Sequence, residues 1–147
     1  MNVLYPAIFE YDYLEKRYTV CFPDLPEAIT EGESLEEAYF NAAEVLTLTL
    51  EGRVDEGEEI PKPCRCNKKG VKLIAPSARA QAALLLKWAK GKHTTAEIAR
   101  ALNTSWPAVA RLENLRHNPN LRQLERASAA VGYRLVISLD PVSQIVK

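Results

Sequence analysis

At Pro76 the residue pattern of this chain changes its period. Before it, aromatic and β-branched residues alternate with polar ones, the period-two pattern of half-buried strands. After it, alanine and leucine dominate stretches of helical spacing. A chain of 147 residues is long enough for two small domains. The change of period predicts an α+β protein with a sheet-plus-helix domain over residues 1–76. An all-helical domain with one closing strand is predicted over residues 77–147.

Charge divides at the same place. Residues 1–76 hold 8 Lys+Arg against 15 Asp+Glu, a net of −7, and residues 77–147 hold 11 against 4, a net of +7. Such asymmetry suggests oppositely charged partners, although merely solvated surfaces would give the same counts. No apolar run is long enough to span a bilayer, so no membrane partner is expected. The N-terminus "MNVLYPAIFEYDY" has no basic segment leading into an apolar one, and a cytoplasmic location is expected. Cys64 and Cys66 could join His93 at a metal, but C-x-C is not a zinc-finger or zinc-ribbon spacing. Reduced thiols, no metal and no cofactor are expected.

In the first half, "LYPAIFEY" and "YTVCF" read as a hairpin around "DYLEKR". Tyr18, Val20 and Phe22 share one face. Pro23 to Pro26 reads as a loop, because proline cannot sit in a central strand, and "EAIT" as a short third strand. Ser34 with Glu37 matches a capping box, opening a helix whose Leu35, Ala38, Ala42, Val45, Leu46 and Thr49 recur at helical spacing. "EGRVDEGEEIPKPCRCNKKG" reads as a partly mobile loop and "VKLIA" as a further strand.

In the second half, "SARAQAALLLKWAKG" is a helix with Gly91 at its end. Thr94 and Glu97 form a second capping box ahead of "AEIARAL". Asn103 sits at a turn that needs a left-handed residue. Ser105 caps the next helix, and Pro107 near its start loses no hydrogen bond. "NPNLRQLERASAAVG" is a last helix, followed by a strand "YRLVISL". Small Ala99, with apolar Ile98, Leu102, Val109 and Leu112, suits two short helices locked at a steep angle. In a helix-turn-helix the start of the second helix reads base edges. The candidates there are Trp106, Pro107, Ala108 and Arg111, with Arg111 able to bond guanine bidentately. Thr95 and Ser105 stand at helix starts suited to phosphate, and Arg116, His117 and Asn118 lie just beyond. Ordinary bundle packing, with Trp106 in the core, is the alternative.

These residues carry two resemblances. "IARAL", "SWPAVARLE", "NPNLRQLERASAAVG" and the closing strand resemble the Xre/Cro-type helix-turn-helix of bacterial and phage repressors. Trp106 departs from that family, which more often has a polar base reader there. In the first half, Pro23-Asp24-Leu25-Pro26, then Thr30 and Gly32, then Glu36-Glu37-Ala38, with a later "IPKP", resemble HicB antitoxins. Glu27 stands where many members have glycine. The resemblance implies a partial RNase H-like fold that blocks a small basic RNA-cleaving toxin, HicA. It also implies autoregulation through binding of double-stranded operator DNA by the C-terminal domain. Complementary charge suits an acidic domain to a basic partner. The candidate toxin contacts are Asp24, Leu25, Pro26, Glu27, Glu31 and Glu33, with a local turn bond the alternative for Asp24.

Nuclease activity would need carboxylates converging on metals. The candidates Asp12, Asp24 and Glu44 lie at a turn, between prolines and on a helix, and "VKLIA" offers Lys72 in place of an acid. No enzyme is expected. A repressor whose first domain senses a small ligand is the alternative function. One helix-turn-helix reads too few base pairs to single out an operator, so a homodimer or higher oligomer is expected. Leu135, Ile137 and Leu139 of the terminal strand would pair with a second copy, unless that strand packs on its own helices.

Overall fold

The computed structural model describes residues 1–141, so the last six residues of the expected 77–147 domain lie outside the described residues. Two compact units are present, Val3–Ser77 and Ala78–Leu139. No helix among the described residues is long and apolar enough to cross a membrane.

The first unit contains β1 (Tyr5–Asp12), β2 (Arg17–Phe22), β3 (Leu25–Gly32), α1 (Leu35–Asp55) and β4 (Val71–Ile74). The four strands pair antiparallel in the order β3-β2-β1-β4. Alternation decides which residues of β1 and β2 enter the core, and a register shift opposite Cys21 and Phe22 spaces Leu25 and Ala28 of β3 three apart. Tyr5, Ala7 and Phe9 of β1, Val20 and Phe22 of β2, and Leu25 and Ala28 of β3 are buried. Ala38, Ala42, Leu46 and Leu50, four residues apart on α1, are buried with them.

Three expectations for this unit need correction. Pro26 lies in β3, which runs from Leu25 to Gly32 and exceeds "EAIT" at both ends. β3 is an edge strand, where a proline interrupts no central ladder. Helix α1 continues through "EGRVD" to Asp55, since no strong breaker intervenes before Gly57, whose φ is +71°. The capping box at Ser34 is half formed. Ser34 Oγ accepts from Glu37 N at 3.0 Å, but the Glu37 carboxylate accepts from Glu33 N at 2.9 Å, one residue further back.

The second unit contains α2 (Ala78–Lys90), α3 (Thr95–Ala101), α4 (Trp106–Leu112) and α5 (Leu121–Ala130). The Thr94–Glu97 box is complete, at 3.1 and 3.2 Å. Ser105 Oγ accepts from Ala108 N at 3.3 Å, with Pro107 in the first turn. Asn103, at φ +52°, turns the chain from α3 to α4. Ile98, Ala99, Val109 and Val131 form the core where α3, α4 and the end of α5 meet, with Leu102 packed against it.

The expected terminal strand is absent. Tyr133–Asp140 form no strand, and Leu139 is 95% exposed. A strand exists only by pairing, and no described strand lies beside this segment to pair with it.

Candidate functional site

The acidic stretch of the first unit is built into its own fold. Leu25 is fully buried, so its side chain belongs to the core and not to a contact surface, which corrects its assignment as a toxin contact. Asp24 makes neither a local turn bond nor a free carboxylate. Its Oδ2 accepts from Cys64 N at 3.0 Å, forty residues away, and the same carboxylate holds the Cys64 thiol above its ordinary pKa. Glu27 accepts both Arg53 Nε and Nη2, at 2.7 and 2.9 Å. Those bonds hold the Glu27 carboxyl below the usual carboxylate range and push Arg53 up. Glu31 and Glu33 both pair with Arg17. Pro26 is exposed.

The same groups fix the segment expected to be partly mobile. Tyr5 Oη donates to Pro61 O at 2.6 Å, and Arg53 Nη1 donates to Glu59 O at 3.2 Å. Ile60 is buried. Burial and the nearby Asp24 carboxylate raise the Tyr5 phenol far above its usual value, so it stays a donor to Pro61. "PDLP" and "IPKP" are therefore two sides of one staple at the end of the sheet. Their separation in sequence hid this.

Gly32 is the last residue of β3, opposite Tyr18. A Cβ built on it would stand 2.7 Å from Ala38 Cα and 2.9 Å from Glu37 C. Glycine is required because the first turn of α1 lies directly against β3. Asn41 Nδ2 donates to Glu31 O at 2.9 Å and ties the same helix to the same strand.

Asp12 Oδ1 accepts from Leu14 N and Glu15 N at 2.9 and 3.2 Å, a hairpin-turn role. Among the described residues no group of three or more His, Cys, Asp or Glu is placed to hold a metal. Asp12, Asp24 and Glu44 are therefore not brought together within the first unit.

In the second unit, Trp106 is 59% exposed at the start of α4, on the surface and not in the core. Pro107 and Arg111 are exposed, and Ala108 is half-buried. The Ser105 hydroxyl is used in capping. The Thr95 hydroxyl accepts from Lys90 Nζ at 2.8 Å, and that ammonium also pairs with Glu113 at 3.1 Å. Arg116 and Asn118 are exposed beyond α4, with His117 half-buried between them. A cavity of about 220 Å³ beside α4 is lined by Arg111, His117, Gln123 and Arg126 among others. Gln123 and Arg126 were missed from sequence. The signal was there, since Asn120 and Gln123 form a second complete capping box at 2.8 and 3.0 Å, which sets the start of α5. Of the expected dimer contacts, Leu135 is half-buried, whereas Ile137 and Leu139 are largely exposed.

Residues 4–80 match the family model described as HicB_like antitoxin of bacterial toxin-antitoxin system. Among curated relatives, antitoxin HicB 2 of Photorhabdus laumondii subsp. laumondii is 33% identical, over 91% of this chain and 94% of its own length. Antitoxin HicB 1 of the same organism is 30% identical over 95% and 88%. Antitoxin HicB of Escherichia coli is 31% identical over 82% and 88%. The crystal structure of the N-terminal domain of Burkholderia pseudomallei antitoxin HicB aligns with a TM-score of 0.43 at 21% identity, covering 50% of this chain and 98% of that one.

Proposed function

Because the chain belongs to the HicB-like antitoxin family of bacterial toxin–antitoxin systems, we propose that it binds and inhibits a HicA-type RNA-cleaving toxin and represses its own operon. Residues 1–76, a partial RNase H-like domain in this reading, neutralise the toxin. Residues 77–147 bind operator DNA through α3 and α4 as an Xre/Cro-like helix-turn-helix, and pair two copies through the segment after Tyr133. The observation that carries this reading is the placing of opposite charge on two separate compact units, −7 before Pro76 and +7 after it. A basic RNA-binding toxin is attracted to the first, and phosphate to the second.

The DNA half is supported by the exposure of Trp106 and Arg111 on a capped helix start, where a major-groove reader needs its side chains free. Two copies would read half-sites about 34–36 Å apart, one helical turn of DNA. The test is co-expression in a host carrying a reporter on this gene's own promoter. The chain should relieve growth arrest by the HicA-type toxin and silence the reporter. Arg111→Ala should restore reporter expression while still relieving the arrest. Continued arrest with the intact chain present at excess would refute the antitoxin reading.

A further inference from the structure

Helix α1 covers one face of the sheet, and strand register defines the other. Ile8 pairs with Cys21, Cys21 with Ile29, and Ile8 with Val71 on the opposite side. These four residues form one row across all four strands, on the face away from Tyr5, Ala7 and Phe9. Leu73 stands on the same face one pair further along, opposite Pro6, which is buried. An antiparallel sheet with one face in water normally turns polar residues outward. Here the outward row is apolar. Ile29 is 65% exposed, Leu73 is 55% exposed and Cys21 is exposed, while Ile8 and Val71 are half-buried. The next row along is Glu10, Thr19 and Glu31. On β2, two residues beyond Thr19, Arg17 is paired with Glu31 and Glu33.

We infer that this outer face of the sheet, centred on Cys21 and Ile29, is where the first unit seats its toxin, with "PDLP" acting as a structural staple at the end of the sheet. The inference rests on the antitoxin reading above and adds the surface. An apolar row bordered by Glu10, on a unit that carries −7, fits a partner whose own apolar patch is ringed by Lys and Arg. A second copy of the same unit is a poor occupant. It would set Glu10 of each copy at one seam, between domains that each carry −7. The acidic residues singled out by motif are less available, since Asp24, Glu27, Glu31 and Glu33 already have partners within the unit.

Cys21 supplies the test. A full-length Cys64→Ser, Cys66→Ser chain keeps it as the sole thiol. Its alkylation by N-ethylmaleimide is followed by mass spectrometry, alone and with purified HicA-type toxin in excess. The expected result is rapid alkylation in the free chain and at least tenfold slower alkylation in the complex. Ile29→Lys and Leu73→Lys, both at exposed positions, should each weaken toxin binding at least tenfold with the fold retained by circular dichroism. A neutralising complex in which Cys21 alkylates at the free rate and both lysine variants bind normally would overturn the inference and leave the antitoxin reading standing. Protection of Cys21 in the chain alone would also overturn it, whether rising with concentration, as a second copy would give, or constant, as another part of the same chain would give. Absence of any complex would remove both the inference and the reading beneath it.

Discussion

Adding the same methyl group at two glycines should change the stability of the first unit in opposite directions. At Gly32 the new Cβ meets the backbone of α1, 2.7 Å from Ala38 Cα. Ordinary carbon contacts lie at about 3.5–4.0 Å. The obstacle is helix backbone and not the end of a flexible side chain, so the start of α1 has to retreat. That movement strains the Ser34 cap, whose bond to Glu37 N is 3.0 Å, and the Asn41 bond to Glu31 O. Overpacking costs about 1–3 kcal/mol, and a lost cap about 1 kcal/mol more. Gly32→Ala should therefore destabilise the unit by about 2–4 kcal/mol. At Gly52, within α1, a Cβ has nothing within 4 Å. Gly52→Ala should gain up to about 1 kcal/mol from helix propensity and reduced unfolded-state entropy. Native-state hydrogen exchange of α1 and β3 amides in the full chain reads both changes. Equal effects at the two sites, or a stabilised Gly32→Ala chain, would refute the close approach of α1 to β3.

Arg111→Ala should cost about 1–3 kcal/mol of operator binding and relax preference at one base pair, whereas Arg116→Ala should weaken all sequences alike and flatten the salt dependence. Equal loss on operator and random DNA for both would contradict those roles. The Glu27 carboxyl is depressed in the fold by Arg53, so its stabilisation is fully present above the ordinary glutamate pKa of about 4.3 and is lost as pH falls through the lowered folded value. Glu27 is 48% exposed, which limits that pair to about 1 kcal/mol or less. Urea unfolding at pH 6 and pH 3 should show Glu27→Gln less acid-sensitive than the parent chain, and equal sensitivity would count against the pair. Deletion from Tyr133 onward should give a monomer with much weaker operator binding. A parent chain already monomeric by sedimentation at micromolar concentration, yet tight on a palindrome, would exclude pairing through that segment.

What could be read from the sequence was local. Thr94 with Glu97, and Ser105 ahead of Pro107, announce helix starts because the groups that bond are three residues apart. The alternation of Val20 and Phe22 identified a core face for the same reason. Partners far apart in sequence leave no such mark. Asp24 meets Cys64 forty residues on, and Glu27 meets Arg53 twenty-six on, so acids that looked free for a partner are part of the fold. Pro26 was excluded from strands on a rule for central strands, but β3 is an edge. The strand expected over "YRLVISL" failed because alternation describes a capacity to pair, and a single chain does not supply the mate. The outer row of Ile8, Cys21, Ile29 and Val71 needed register, which only the paired strands reveal.

The division of labour between the two units is tested most directly by titrating the full chain into an RNA-cleavage reaction driven by the HicA-type toxin. Cleavage should stop at a fixed ratio of chain to toxin, and the Arg111→Ala chain should give the same endpoint, because toxin inhibition needs only the first unit. Cleavage that persists with the chain in excess, or an endpoint abolished by Arg111→Ala, would contradict the account.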